Sequence, residues 1–345
     1  SLGMSILVVG SVAFDTVETP HGRAERVLGG SASFFSVAAS FFAPVRLVAV
    51  IGEDFGEEQL AAFSGRSIDL EGLERTEGKT FFWEGTYSKD MNDRETITTD
   101  LNVFEHFEPK IPASYRSSEA VFLGNIDPVL QRRVLEQVER PKLVACDTMN
   151  FWINGKLEEL KETLRQVQVL LINDSEAKDL SGEWNLVKAA RAIREMGPEI
   201  LVVKKGEHGV IMFTGEGAFA APAYPLEEVF DPTGAGDTFA GGFLGYLAGR
   251  GDHGEASLRQ AVVMGSTLAS FCCEAFSLDR LLTLTRKEID ERYHRFQDLT
   301  RFDSLSLSDI GGGPRGAAVG WGWPGGGARG GGVPGARAPR GRGGW

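Results

Sequence analysis

The residues best suited to chemistry in this chain lie at 231–237, Asp-Pro-Thr-Gly-Ala-Gly-Asp. Val229 and Phe230 just before them read as the end of a short strand, and Pro232 stops further pairing. Gly234 and Gly236 allow backbone angles that other residues reach only with strain, so a tight turn follows. From Ala235 onward Phe239, Phe243 and Leu247 recur every four residues, the spacing of one helix face. The free N–H groups at that helix start, with the positive end of its dipole, attract anions and suit the charge spread over a phosphoryl group in transfer. Asp237 falls in the first turn, where a carboxylate can take the proton of an attacking hydroxyl. An isolated Gly-x-Gly-Asp is explained by the dipole and the need to turn. Seven consecutive residues running into a glycine-rich apolar helix are a pattern that the dipole alone does not require.

The segment resembles the C-terminal signature of the ribokinase (PfkB) carbohydrate kinase family, whose members phosphorylate sugars, nucleosides and related alcohols with ATP. The resemblance makes Asp237 the base and places Gly234, Ala235 and Gly236 along the anion hole. Gly29 and Gly30, which open a small-residue helix within 28–42, resemble the family's N-terminal Gly-Gly signature, whose backbone closes on the substrate. Asp15 corresponds to the family Asp that grips substrate hydroxyls. Many sugar-specific members carry Asn four residues after the second glycine, and here that place is Phe34. An amide that binds two hydroxyls is replaced by a ring that packs or stacks, either against substrate or within the core.

Asn173-Asp-Ser-Glu176 resembles the family's N-x-x-E motif, which holds a magnesium and phosphate network through water. Mg2+ asks for few protein oxygens, so Glu176 and ATP oxygens suffice. A helix cap by Asn173 or Ser175 accounts for the same residues. Lys204-Lys-Gly-Glu-His-Gly209 resembles the family's ATP loop, with Lys204, Gly206 and Gly209 on the nucleotide, although these glycines also suit a plain hairpin turn. Thr233 is assigned to the ATP side. Asp231 and Thr233 match the start of the family's monovalent-cation site, which would take K+.

The elements that must position these groups read as alternating strands and helices. Strands are expected at 5–10, 45–51, 120–123, 142–146, 169–172 and 200–203, with helices at 54–64, 128–138, 157–167, 175–180, 186–196, 256–271 and 286–300. That rhythm predicts an α/β fold with a doubly wound, mostly parallel sheet flanked by helices. Ligands in such sheets gather at the carboxyl ends of strands, where Asp15, Asn173, Lys204 and Asp231 are expected to converge. Residues 79–104 break the rhythm with two β-rich segments joined by the polar stretch 88–94. With 16–27 they resemble the family's β-sheet lid, which on closing keeps water from the phosphoryl group. Phe81, Phe82, Trp83 and Tyr87 are left to face either the substrate or the partner subunit of a homodimer formed through the lid. Gly10-Ser-Val-Ala-Phe-Asp15 lacks the later glycines of a dinucleotide fingerprint, and no Walker A sequence occurs.

One kinase domain is expected over residues 4–300 of the 345, with Ser1 to Gly3 set aside as a vector remnant. The formal charge of −12 gives no electrostatic reason to seek DNA or an anionic membrane, and a small molecule is the expected partner. No signal peptide or membrane span is read. Cys146, Cys272 and Cys273 show no metal spacing, which fits a reducing cytoplasm. Residues 311–345 contain no acidic residue and no Lys, and are expected to be disordered; they read as an unselected tail or as a non-specific RNA contact. The expected activity is transfer of the ATP γ-phosphate to a primary hydroxyl of an adenosine-type ribonucleoside or a sugar. A free-sugar kinase and a non-catalytic binding protein of the same fold are the competing readings.

Overall fold

The computed structural model describes residues 3–310, and the tail at 311–345 lies outside them. The chain runs through β1 (Ile6–Val9), β2 (Ala13–Thr19), β3 (Gly22–Gly29), α1 (Ser31–Ala39), β4 (Val45–Ile51), α2 (Glu57–Leu60), β5 (Ile68–Asp69), β6 (Leu73–Arg75), β7 (Phe81–Tyr87) and β8 (Arg94–Asp100). It continues through β9 (Ala120–Leu123), α3 (Pro128–Glu136), β10 (Leu143–Asp147), α4 (Asn150–Gly155), α5 (Leu157–Leu164), β11 (Val169–Asn173), α6 (Asp174–Ser181) and α7 (Leu186–Glu195). β12 (Ile200–Lys204), β13 (Val210–Thr214), β14 (Gly217–Ala221), α8 (Ala235–Arg250), α9 (Glu255–Cys272), α10 (Asp279–Thr283) and α11 (Arg286–Thr300) complete it.

The large sheet has the order β14-β13-β12-β11-β10-β9-β1-β4-β5, with β6 also on β4. Its pairs are parallel except β12–β13 and β13–β14. Two-residue alternation splits each central strand between two cores. Ile6 and Val8 of β1 join one core with α1, α8 and α9, while Leu7 and Val9 join the other with α3, α5, α6 and α7. Burial on both faces explains the uninterrupted apolar runs, each such side chain contributing about 1.5–3 kcal/mol.

α8 is buried nearly all round. A Cβ on Gly241 would stand 2.5 Å from the Phe35 carbonyl oxygen, and one on Gly245 2.8 Å from the Ala39 Cα, so these glycines let α8 lie against α1. The helix that carries Asp237 is thereby wedged between α1 and α9.

A second sheet has the order β3-β2-β7-β8, with β2 and β7 parallel and the outer pairs antiparallel. Several expectations shift. No strand precedes Pro232, because the N–H groups of Phe230 and Asp231 donate to the Cys273 carbonyl at 2.8 and 3.4 Å and tie this segment to the end of α9. The helix expected at 54–64 shrinks to α2 and a 3-10 turn, Ala61–Phe63, and within these two pieces only Phe63 is buried. β8 stops at Asp100 and gives way to a 3-10 turn, Asn102–His106. Asp15 lies inside β2 of the small sheet, not at a strand end of the large one.

Candidate active site

Gly234 takes φ +78°, and a Cβ there would sit 2.5 Å from ring carbons of Phe34. Both the left-handed backbone and the approach of the ring therefore select glycine. Phe34 is buried and forms the wall behind this turn. The Ala235 N–H donates to the Pro232 carbonyl at 3.2 Å, and the Thr238 N–H to the Gly234 carbonyl at 2.8 Å. No side chain caps the helix, so the amides of Gly236 and Asp237 have no partner among the described residues. Of the expected Gly234–Ala235–Gly236 trio, the Gly234 and Gly236 amides are open while that of Ala235 is taken up by the turn. Lys204, at the end of β12, brings its Nζ to 3.1 Å from where a Gly236 Cβ would be.

Asn173 and Lys204 pair across β11 and β12. Asn173 caps α6, its side chain accepting from the Glu176 N–H at 2.7 Å while Glu176 Oε2 accepts from the Asn173 N–H at 2.9 Å. The capping expectation and the carboxylate near the anion side are thus both present. Burial and the negative charge of Asp147 push Glu176 up to about 7. Asp147, at the end of β10, is itself raised by burial, against the pull of Lys204. Asp237 rises to about 7 through burial and then Asp147, with Lys204 and Arg94 opposing. These mutual influences place Asp147, Glu176, Lys204 and Asp237 in one cluster.

Asp15 faces the same cleft from the other side. Its carboxylate lies over Gly29, where a Cβ would fall 1.9 Å from Oδ2. Burial, then Asp231 and Asp237, push it up to about 7, and Arg94 pulls it down. Gly30 is the N-cap of α1, and the Ala32 N–H donates to the Ser11 carbonyl at 2.9 Å, which fixes the helix start beside the end of β1. Asp231 is buried; Oδ1 accepts from the Thr233 N–H at 2.9 Å and Oδ2 has no hydrogen-bond partner. Gly206 and Gly209 bracket the 3-10 turn that joins β12 to the antiparallel β13. That turn is tied to the tip of the β7–β8 hairpin, Asn92 Nδ2 donating to Glu207 Oε1 at 3.4 Å.

Asp147 and Arg94 were not among the residues singled out from sequence. Asp147 carried the same signal as Asn173 and Lys204, a polar residue ending a buried strand. Arg94 carried none, since its place depends on how the hairpin folds over the cleft. Among the described residues no group of three or more His, Cys, Asp or Glu side chains is arranged to hold a metal ion. The half-buried Glu176 and Asp147 nevertheless suit a divalent cation that draws its other ligands from phosphate and water. The unpartnered Asp231 Oδ2 suits a monovalent one. Among the described residues, no helix is long and apolar enough to cross a membrane.

The chain is 32% identical over 259 residues to a cytidine kinase of Thermococcus kodakarensis, covering 72% of this chain and 90% of the relative. It is 30% identical over 285 residues to a ribokinase of Bacillus subtilis, covering 74% and 90%. The fold superposes on the crystal structure of the Methanocaldococcus jannaschii nucleoside kinase, an archaeal member of the ribokinase family. The TM-score is 0.68 at 22% identity, covering 86% of this chain and all of that one. Residues 4–282 match the pfkB family of carbohydrate kinases, and the chain belongs to that family of ATP-dependent phosphotransferases acting on sugar or nucleoside hydroxyls.

Proposed function

We propose that this kinase phosphorylates the primary hydroxyl of a ribonucleoside. The observation that carries the chemistry is Asp237 at the start of α8, beside two open amides and the Lys204 ammonium. Asp237 accepts the hydroxyl proton as the acceptor oxygen closes on the γ-phosphorus. The Gly234-Ala235-Gly236 turn and the amides of Gly236 and Asp237 receive the charge on the transferred group, and Lys204 adds a cation beside them. Asp15 holds acceptor hydroxyls over the Gly29–Gly30 backbone. Asn173, Gly206, Gly209 and Thr233 line the nucleotide side. Mg2+, held near Glu176 and Asp147, would neutralise phosphate charge, and a K+ ion would fit at Asp231 Oδ2.

The nucleoside reading is supported by the cytidine kinase relative and by Phe34. A buried ring stands where many sugar-specific members carry an amide, so one pair of sugar-hydroxyl contacts is absent. The four-stranded sheet would serve as the lid over the acceptor, and its strands are also available for a homodimer through the lid. Three free cysteines, two of them adjacent, agree with a reducing cytoplasm. A coupled ADP-release assay across cytidine, adenosine, inosine, ribose and fructose tests the function. Turnover of a nucleoside above both free sugars is expected. Preference for ribose or fructose would assign a free-sugar kinase, and ligand-induced thermal stabilisation without turnover a binding protein.

A further inference from the structure

The Gly29–Gly30 backbone is pinned from two sides. Toward β1, the Ser31 N–H donates to Ser11 Oγ at 3.0 Å and the Ser11 N–H to Ser31 Oγ at 3.1 Å, which stitches the start of α1 to the residues just past β1. On the other side β3 is an edge strand of the small sheet, where a backbone carbonyl facing outward meets no further strand. There the Ser277 hydroxyl donates to the carbonyl of Leu28, the residue before Gly29. Ser277 is buried, and it comes from the loop between α9 and α10.

The same loop holds the other end of the transfer site. The Cys273 carbonyl accepts from the N–H groups of Phe230 and Asp231, which lead into the Gly234 turn. The tip of the β2–β3 hairpin rests here too: the His21 ring stacks on Phe230 with centroids 4.5 Å apart, and a Cβ on Gly22 would meet the Phe276 ring at 4.0 Å. Residues 273–277 therefore grip both the backbone before the acceptor glycines and the backbone before the anion-hole turn. Ser277 itself takes φ +55°, a left-handed conformation that glycine reaches with less strain. A glycine there would have no hydroxyl for Leu28.

We propose that Ser277 is a positioning residue for the acceptor. By holding Leu28 it keeps Gly29 and Gly30 against the Asp15 carboxylate, and through Cys273 it ties that placement to the α8 turn, so that acceptor and nucleotide each tighten the binding of the other. This rests on the acceptor and phosphoryl assignments made above. The tolerance is small. A Cβ on Gly29 would fall 1.9 Å from Asp15 Oδ2, and one on Gly30 2.5 Å from the Ser11 carbonyl oxygen. The strand has no slack toward those groups, and without the Ser277 hydroxyl it is free to shift only outward, away from Asp15.

The test uses Ser277→Ala and Ser277→Gly, which both remove the hydroxyl while only glycine relieves the left-handed backbone. Acceptor affinity is measured by titration calorimetry with and without a non-hydrolysable ATP analogue, beside kcat, both KM values and melting temperature, on the panel member that binds most tightly. Acceptor affinity is expected to fall about tenfold in both variants, the usual worth of one lost hydrogen bond, while the analogue alone binds within twofold of its affinity for the unaltered enzyme. The analogue should tighten acceptor binding by about fivefold or more in the unaltered enzyme, and hardly at all in either variant. Ser277→Gly should melt at or above Ser277→Ala yet lose as much acceptor affinity. An acceptor affinity for Ser277→Gly within threefold of the unaltered enzyme overturns the proposal, because the effect then follows backbone strain and not the hydroxyl. So do equal losses for acceptor and analogue alone, or an unaltered enzyme in which the two ligands bind independently. Binding of panel members with no turnover of any of them sinks the kinase reading, and the calorimetric arms still decide the role of Ser277.

Discussion

Replacing Asp237 by Asn should make the ligand-free protein more stable while removing its activity. Burial, with Asp147 adding to it, lifts the Asp237 carboxyl from 3.8 to about 7. At 1.36 kcal/mol per pK unit, the fold carries at most about 4 kcal/mol of cost above pH 7. Halving that for the open side of the cleft and for coupling to Asp147 and Lys204 leaves about 2 kcal/mol. Asn keeps the shape and removes the charge. At about 2 °C per kcal/mol for a chain of this size, the melting temperature at pH 8 should rise by about 4 °C. The raised carboxyl costs nothing below its unfolded value near 3.8 and its full cost above about 7, so the gain should shrink as pH falls from 8 to 5. Turnover should drop by about 10²–10⁴-fold, the usual worth of a general base. Differential scanning fluorimetry across pH and the ADP-release assay measure the two arms. A variant that melts at or below the parent at pH 8 refutes the desolvation argument; a kcat within tenfold of the parent refutes the base assignment.

Asp15 and Glu176 are also lifted to about 7, both chiefly by burial, so ligand-free stability should fall as pH rises from 5 to 8 and recover with bound nucleotide and acceptor. A melting curve flat over that interval contradicts the clustering. The same titrations should make kcat/KM rise with pH through an apparent pKa near 7, a value belonging to the coupled carboxylates together, and a profile already level at pH 5.5 would exclude it. Gly234→Ala combines φ +78° with a Cβ 2.5 Å from the Phe34 ring, and should cost about 2 kcal/mol or more along with most of the turnover; an unchanged melting temperature argues against the packing. Gly29→Ala drives a methyl into the Asp15 carboxylate and should lower kcat/KM for the acceptor by about 10²-fold while leaving KM for ATP in place; equal effects on both substrates would detach Asp15 from the acceptor side.

The parallel core was legible because its strands are apolar on both faces and alternate with amphipathic helices. β1, β4 and β9 fall at or within a residue of where periodicity puts them. Short elements were not legible. β5 and β6 have two and three residues, and α4 and α10 six and five, too few for a period to stand out. The Asp231–Asp237 segment announced its turn and its base through glycine spacing, but not that Phe230 and Asp231 would hang from Cys273 instead of pairing as a strand. Asp15 was expected at the end of a core strand and instead comes from within β2, because the chain crosses into the second sheet at Ala13. Tyr87 and Arg94 meet the site through the hairpin register, which residue types alone do not set.

The charge balance of the cleft gives the proposed lid a physical reason. Asp15, Asp147, Glu176, Asp231 and Asp237 all have raised carboxyls, with burial the first cause for each. Against them stand Lys204, on the rigid edge of β12, and Arg94, on the hairpin. Two cations do not satisfy five carboxylates, so these side chains by themselves repel one another at a cost that a packed core must offset. An arriving phosphate chain would add more negative charge unless cations come with it. One can be carried with the nucleotide as a divalent ion, and another can be swung in by the hairpin that Tyr87 fastens to Thr233. Closure of the lid proposed above would then supply charge as well as exclude water, and the two effects separate in one comparison. Raising ionic strength should weaken transfer by the unaltered enzyme and by Arg94→Lys more than by Arg94→Ala, because only the alanine variant lacks the charge on the hairpin.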